Sequence, residues 1–206
     1  MALMSKAAIV TGAAQGIGKA IAARLVKDGM RVAIVDINQE AAVAAAEELA
    51  GQYGAETMAV QCDVSQEEQV NTAVQKVLER FGTVDVLVNN AGILSLKKPF
   101  VEYTKADWDK IFGINFMGDV FFCKAVIPTM KEKKAGRIIN MASQSAETGG
   151  LAASPIYAAS KAAVWCMTKS LAGEMGPYQE GAHETASFHI GRRCAYASPA
   201  MRTAVP

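Results

Sequence analysis

Two residues four apart, Tyr157 and Lys161, pose the first chemical question. On a helix, side chains at that spacing share one face. A free tyrosine ionises near pH ~10, too high for a general base at neutrality. A neighbouring ammonium favours the phenolate and lowers that value. Such a tyrosine can take a proton from an alcohol or return one to a carbonyl. Taken alone, the pair is also an ordinary feature of an exposed helix, so its meaning rests on what surrounds it.

Upstream, "TGAAQGIG" occupies residues 11–18 between a short apolar run and a helix-period segment. Gly12 permits a tight turn, Gly16 lets the backbone approach a pyrophosphate, and Gly18 lets helix and strand pack closely. Phosphates would sit at the helix N-terminus, facing free N–H groups. Asp36 ends the next strand, 18 residues after Gly18. A carboxylate there can accept from both adenosine ribose hydroxyls and would repel a 2′-phosphate. With no Lys or Arg in the turn or directly after Asp36, the expected cofactor is NAD(H) over NADP(H).

The elements that must position these groups follow from periodicity. "AAIVTG", "RVAIVDIN", "ETMAVQCDVS", "VDVLVNNAG" and "GRIINMAS" are apolar runs that read as five strands, each followed by a helical segment. Continuous rather than alternating apolar strands imply burial on both faces, hence an α/β fold with a parallel sheet between helical layers. Gly29 ends the first helix and a second spans about 39–51. Ser65 with Glu68 reads as a capping box for a third helix running to about Phe81, before Gly82. A long helix opens near Thr104 and is expected to bend or end near Pro128. Ala158, Ala159, Ala162 and Ala163 suit close helix packing around Tyr157.

With these motifs in order, residues 5 to about 178 resemble the classical short-chain dehydrogenase/reductase family. The carriers are the T-G-x-x-x-G-x-G spacing, "CDV" at Cys62–Val64, "NNAG" at Asn89–Gly92, Asn115 in the long helix, and Ser143 with Tyr157-x-x-x-Lys161. The resemblance implies a Rossmann-type, doubly wound sheet in three layers with strand order 3-2-1-4-5. It also implies hydride transfer between a nicotinamide and a secondary alcohol or ketone, with a polyol, a sugar or a 3-oxoacyl compound as the candidate substrates. Asn115, Ser143, Tyr157 and Lys161 would be the catalytic set. Ser143 would hold the substrate oxygen beside Tyr157, Lys161 would also bond the nicotinamide ribose, and Asn115 would hold a water linking Lys161 to solvent. The cofactor would be held by Gly12, Gln15, Gly16, Ile17, Gly18, Asp36, Ile37, Asp63, Val64, Asn90, Ala91 and Gly92, together with Tyr157 and Lys161. Family members associate through the Asn115 and Tyr157 helices, so a homo-oligomer, dimer or tetramer, is expected. The Ser143–Tyr157 spacing is one residue longer than usual. Gln144, Ser145 and Glu147 within it weakly suggest a polyol or sugar; loop solvation is the plainer reading.

Composition narrows the classes. The net charge of +1, with no basic stripe, argues against nucleic acid. Neither a signal peptide nor a membrane span is read at the N-terminus, and the expected compartment is the cytoplasm. Cysteines 62, 123, 166 and 194 are too scattered for a metal site, and three of them are expected as small apolar fillers.

From Gln179 the text changes. The last 28 residues hold no Leu and no Lys but three Arg and both His. The family's sixth strand and Pro-Gly loop are not legible there, although "ASFHIG" could make a brief strand. The reading is a dinucleotide-binding and catalytic domain over 1–178, lacking or altering the sixth and seventh strands, and an atypical tail over 179–206, out of frame or otherwise foreign. Three functions compete: an NAD-dependent dehydrogenase, a dinucleotide binder without turnover, and an epimerase or dehydratase, whose relatives usually carry a different Gly spacing.

Overall fold

The computed structural model describes residues 6–150 and 154–175, and the backbone of 186 and 187. Strands β1 (Ala7–Thr11), β2 (Arg31–Asp36), β3 (Thr57–Gln61), β4 (Val86–Asn89) and β5 (Arg137–Asn140) form one parallel sheet in the order β3-β2-β1-β4-β5. A two-residue strand, β6 (Ala186–Ser187), pairs parallel with β5 through Ile139↔Ala186 and Asn140↔Ser187. It occupies the place of the sixth strand expected to be missing or altered. The rest of the 179–206 tail lies outside the described residues, as do 151–153 in the loop before Tyr157.

Side-chain alternation along the strands makes the three layers. Ala7 and Ile9 of β1 with Ala33 and Val35 of β2 point to one core. Helices α3 (Glu67–Phe81) and α5 (Gly118–Glu132) close that side with Val70, Val77, Phe122 and Val126. Ala8, Val10, Val32 and Ile34 point the other way, against Ala22, Val26, Ala42 and Leu49 of α1 (Gly16–Lys27) and α2 (Gln39–Tyr53). All five residues of β1 are buried, as a central strand covered on both faces requires. This is the Rossmann-type sheet that the alternation of elements predicts.

Local signals mostly act where expected. Gly54 and Gly82 close α2 and α3 in left-handed conformations. Thr104 and Asp107 form a reciprocal capping box at α4 (Lys105–Phe112). Two expectations need correction. The cap of α3 is Gln66, with no side-chain capping bond, because the Ser65 hydroxyl donates to Asp63 instead, at 2.7 Å. The long helix does not end at Pro128. It runs on to Glu132, since a proline removes one backbone donor and the rest of the helix stays buried against the sheet.

The stretch Lys105–Glu132 is long and apolar enough to cross a membrane by length and composition, with a mean hydropathy of 1.4 over its 18-residue apolar window. Phe122, Cys123, Val126 and Met130 instead bury it in the core. Cys62 and Cys123 are the expected fillers, whereas Cys166 is exposed. Two further α-helices stand among the described residues, α6 (Ser145–Thr148) and α7 (Pro155–Met175).

Candidate active site at the carboxyl ends of the strands

The turn after β1 is built from backbone. Gly12 and Gly16 have φ of 61° and 58°, a region that favours glycine. A Cβ on Gly18 would strike the Gly12 carbonyl and lie 2.5 Å from Asn90 Nδ2, whereas one on Gly16 would meet nothing within 4 Å. That open space is where a ligand could approach the chain. Gln15 caps α1 without a side-chain bond, so no side chain of the cap occupies the helix N-terminus.

The ends of neighbouring strands brace this turn. Asn90 Nδ2 donates to the Thr11 and Gly12 carbonyls at 2.9 and 3.1 Å. The Asn90 and Ala91 amides both donate to Thr11 Oγ1 at 3.0 Å. Asp36 accepts the Ala14 and Asn38 amides at 3.1 Å each, which fixes its carboxylate at the end of β2. Ile17 and Ile37, apolar yet 53% and 64% exposed, flank the turn. Asp63 is held by Ser65 at 3.0 Å, and its amide by Gln69 at 2.9 Å. Val64 packs where a Cβ on Gly118 would fall. These positions fit a dinucleotide: open backbone at a helix N-terminus, an oriented carboxylate, and exposed apolar side chains on both sides.

The proposed catalytic side chains gather beyond β4 and β5. A cleft of about 130 Å³ is lined by Ile17, Asn90, Gly92, Met141, Tyr157 and Lys161, among others. Ser154 is the N-cap of α7 and Pro155 its first residue, the arrangement a helix start favours; Ser154 Oγ accepts the Tyr157 amide at 3.2 Å. Ser95 bonds Ser154 from the loop after β4. Lys161 is 4% exposed and donates to the Met141 carbonyl at 2.6 Å.

Asn115 lies in a π-helical turn, Gly113–Met117, between α4 and α5, a distortion often found at functional sites. It is fully buried. Its Oδ1 accepts the Ile93 amide at 2.8 Å, and its Nδ2 donates to the Ile93 carbonyl at 3.0 Å and to Ser160 Oγ at 3.2 Å. A Cβ on Gly92 would sit 3.4 Å from Asn115 Oδ1 and 3.5 Å from Lys161 Nζ, so both groups flank one glycine. The Ser143 hydroxyl accepts the Ser145 amide at 3.2 Å, and among the described residues no hydrogen bond joins it to Tyr157.

Sequence reasoning passed over several members. Met141 acts through its carbonyl, which no side-chain pattern reveals. Ser154 could have been found as a Ser-Pro helix start three residues before Tyr157. Beneath the site lies a buried polar layer. Asn89 Nδ2 donates to Asn140 Oδ1 at 2.8 Å, and Asn140 Nδ2 to Thr168 Oγ1 at 2.9 Å. Asp119 is 2% exposed in the same layer. Burial pushes its carboxyl well above the usual range, opposed by the charge of Lys161. Burial likewise pushes Lys161 down, opposed by Asp119.

Comparison with known proteins agrees with this arrangement. The family description "short chain dehydrogenase" matches residues 6–180. The sorbitol dehydrogenase of Cereibacter sphaeroides is 43% identical over 171 residues, 82% of this chain and 64% of that protein. The chain thus spans just under two thirds of that relative's length. An NAD+-bound xylitol dehydrogenase superposes with a TM-score of 0.80 at 34% identity, over 87% of this chain and 68% of that one. An L-sorbose reductase from Gluconobacter frateurii, complexed with NADPH and L-sorbose, gives 0.80 at 33% identity, over 84% and 65%.

Proposed function

The chain belongs to the short-chain dehydrogenase family, and from that premise we propose that it is an NAD(H)-dependent oxidoreductase of polyols or their keto sugars. The observation that carries the reading is the cleft shared by Tyr157 and Lys161, opening beside the glycine turn. The named substrates of the relatives, sorbitol, xylitol and L-sorbose, supply the substrate class. The solved relatives carry both cofactors, one NAD+ and one NADPH. Asp36 argues for NAD(H), since its carboxylate would repel a 2′-phosphate, and the nearby Lys19 is paired with Glu48 at 2.7 Å.

Gly12, Gln15, Gly16, Ile17 and Gly18 would hold the pyrophosphate, Asp36 and Ile37 the adenosine ribose, and Asp63 and Val64 the adenine. Asn90, Ala91 and Gly92 would border the nicotinamide end. Bound there, the nicotinamide would accept or supply the hydride. Tyr157 takes the hydroxyl proton in oxidation and returns one in reduction. Lys161 lowers the cost of the phenolate and holds the nicotinamide ribose. Ser143 turns its hydroxyl from Ser145 to the substrate oxygen, and Asn115 anchors the loop over Lys161 and holds the relaying water. The working unit is residues 1–178, a cytoplasmic homo-oligomer joined through α5 and α7. Size-exclusion chromatography tests the last point; a monomer at every concentration would contradict it.

The test is NADH absorbance with a polyol panel. Turnover is expected with NAD+, and Tyr157→Phe lowers kcat/KM by about 10³-fold while NADH binding persists. A second reading, a dinucleotide binder without turnover, is favoured by the Ser143 hydroxyl being engaged by the Ser145 amide rather than by Tyr157. It predicts NADH binding with no absorbance change for any alcohol.

A further inference from the structure

Serines hold Tyr157 at both ends of its own backbone. Ser154, three residues before it, accepts the Tyr157 amide on Oγ at 3.2 Å. Ser160, three residues after it, donates its hydroxyl to the Tyr157 carbonyl at 2.8 Å. Each serine also reaches across to the loop that follows β4. Ser160 Oγ accepts from Asn115 Nδ2, and Asn115 bonds both backbone groups of Ile93. Ser154 Oγ accepts a second hydrogen bond, from the Ser95 hydroxyl. A hydroxyl oxygen has two acceptor lone pairs, so Ser154 serves the helix and the loop at once. Both Ser154 and Ser160 are buried, where such bonds meet little competition from water.

Ile93 and Ser95 are thus both tied to α7, and Leu94 lies between them. Ile93 and Leu94 line the cleft together with Tyr157, and Leu94 is 73% exposed. Past Ser95 the loop is fastened to itself. The Tyr103 hydroxyl donates to the Leu96 carbonyl at 3.0 Å and accepts the Lys98 amide at 3.1 Å. Ahead of Ile93, the Asn90 and Ala91 amides hang on Thr11, on the side of the glycine turn. The Ser95 bond therefore joins the open wall of the cleft, rather than the glycine turn, to the helix that carries Tyr157.

We propose that Ser95 and Ser154 are positioning residues, a hydroxyl link that fixes the Ile93–Leu94 wall against Tyr157 and so sets where a bound alcohol stands relative to the phenol oxygen. The inference rests on the reading of Tyr157 given above. The Asn115–Ser160 tie holds the wall on one side of Leu94, and the Ser95–Ser154 tie holds it on the other. With the second tie cut, the wall hangs from Ile93 alone. A misplacement of about 1 Å at reacting atoms can cost about 10²-fold in rate. The loss falls on kcat, because the bonds to Thr11 that brace the glycine turn are untouched. A serine with a purely structural role would lower the melting temperature and leave the surroundings of the Tyr157 ring as they are.

The direct test is 19F NMR of protein labelled with 3-fluorotyrosine, with the Tyr157 resonance identified by its loss in Tyr157→Phe. Ser95→Ala cuts the link and leaves the Ser154 bond to the Tyr157 amide in place. Its Tyr157 resonance is expected to move or split, and that of Ser95→Thr, which keeps the hydroxyl, to match the wild type. Ser154→Ala serves as the second variant, and circular dichroism checks folding. A Tyr157 resonance unmoved in either folded alanine variant overturns the proposal. In the polyol assay, kcat of Ser95→Ala is expected to fall roughly 10- to 100-fold with the NADH Kd unchanged, and to recover in Ser95→Thr. The double alanine variant is expected to lose no more than Ser154→Ala alone, since the link is already cut; losses that multiply would overturn the link. If no alcohol is turned over, the function proposed above fails while the resonance still decides the role of Ser95 and Ser154. If Ser95→Ala turns over at the wild-type rate, the positioning role fails alone.

Discussion

At the end of β1 the site is made of backbone; at the ends of β4 and β5 it is made of buried side chains. In the first region the residues that matter are those with almost no side chain, Gly12, Gly16 and Gly18, and the adjacent strands brace them through carbonyls and amides. In the second, Asn89, Asn140, Asn115, Asp119, Lys161 and Thr168 fill the interior with polar groups that must satisfy one another. The difference teaches that the two halves fail in different ways. A backbone site breaks when volume is added. A buried polar layer breaks when a partner is taken away.

The largest effect should therefore come from volume at Gly18. Gly18→Val drives side-chain atoms into the Gly12 carbonyl and Asn90 and should cost about 3 kcal/mol or prevent folding. Gly16→Ala meets open space and bears only the left-handed backbone, about 1 kcal/mol. Chemical denaturation of both variants checks the pair; equal losses would break the distinction. Next is removal of a partner. Asn140→Ala leaves Asn89 and Thr168 without a shared neighbour and should cost about 2 kcal/mol by the same measurement.

Smaller effects fall on the rim. Asp36→Ala should weaken NADH about tenfold, roughly 1.4 kcal/mol, and improve NADPH relative to NADH, read by fluorescence titration. The smallest concerns the α4 cap. The Lys98 ammonium, followed by bonds from Thr104, holds the Asp107 carboxyl down at about 2. A depressed carboxyl stabilises above its ordinary range, and that contribution fades as pH falls through about 2. Because Asp107 is exposed, acid should fray α4 only slightly, seen as local amide exchange ahead of global unfolding.

How much was legible follows from the same contrast. A left-handed turn demands glycine at positions 12 and 16, and close packing of helix on turn demands it at 18, so Gly12, Gly16 and Gly18 announce themselves in the text. Parallel strands buried on both faces read as unbroken apolar runs, and five of them imply the three layers. Tyr157 and Lys161 were found because four residues on a helix are neighbours by geometry alone. The Met141 carbonyl, the Ser160 bond to Asn115 and the Asn89–Asn140 pair were not, because they depend on which faces meet across the sheet. Ser65 misled because its hydroxyl had a nearer acceptor in Asp63. Helix α5 runs through Pro128 because burial against the sheet outweighs one lost backbone bond.

The measurement that bears most directly on the account is hydride transfer itself. A polyol deuterated at its carbinol carbon is mixed with the protein and NAD+, and the nicotinamide is examined by NMR. The account predicts deuterium on the reduced ring with the wild type and a loss of about 10³-fold in its rate of appearance with Tyr157→Phe. Cofactor that binds yet never acquires deuterium from any polyol, or equal transfer by Tyr157→Phe, would contradict it.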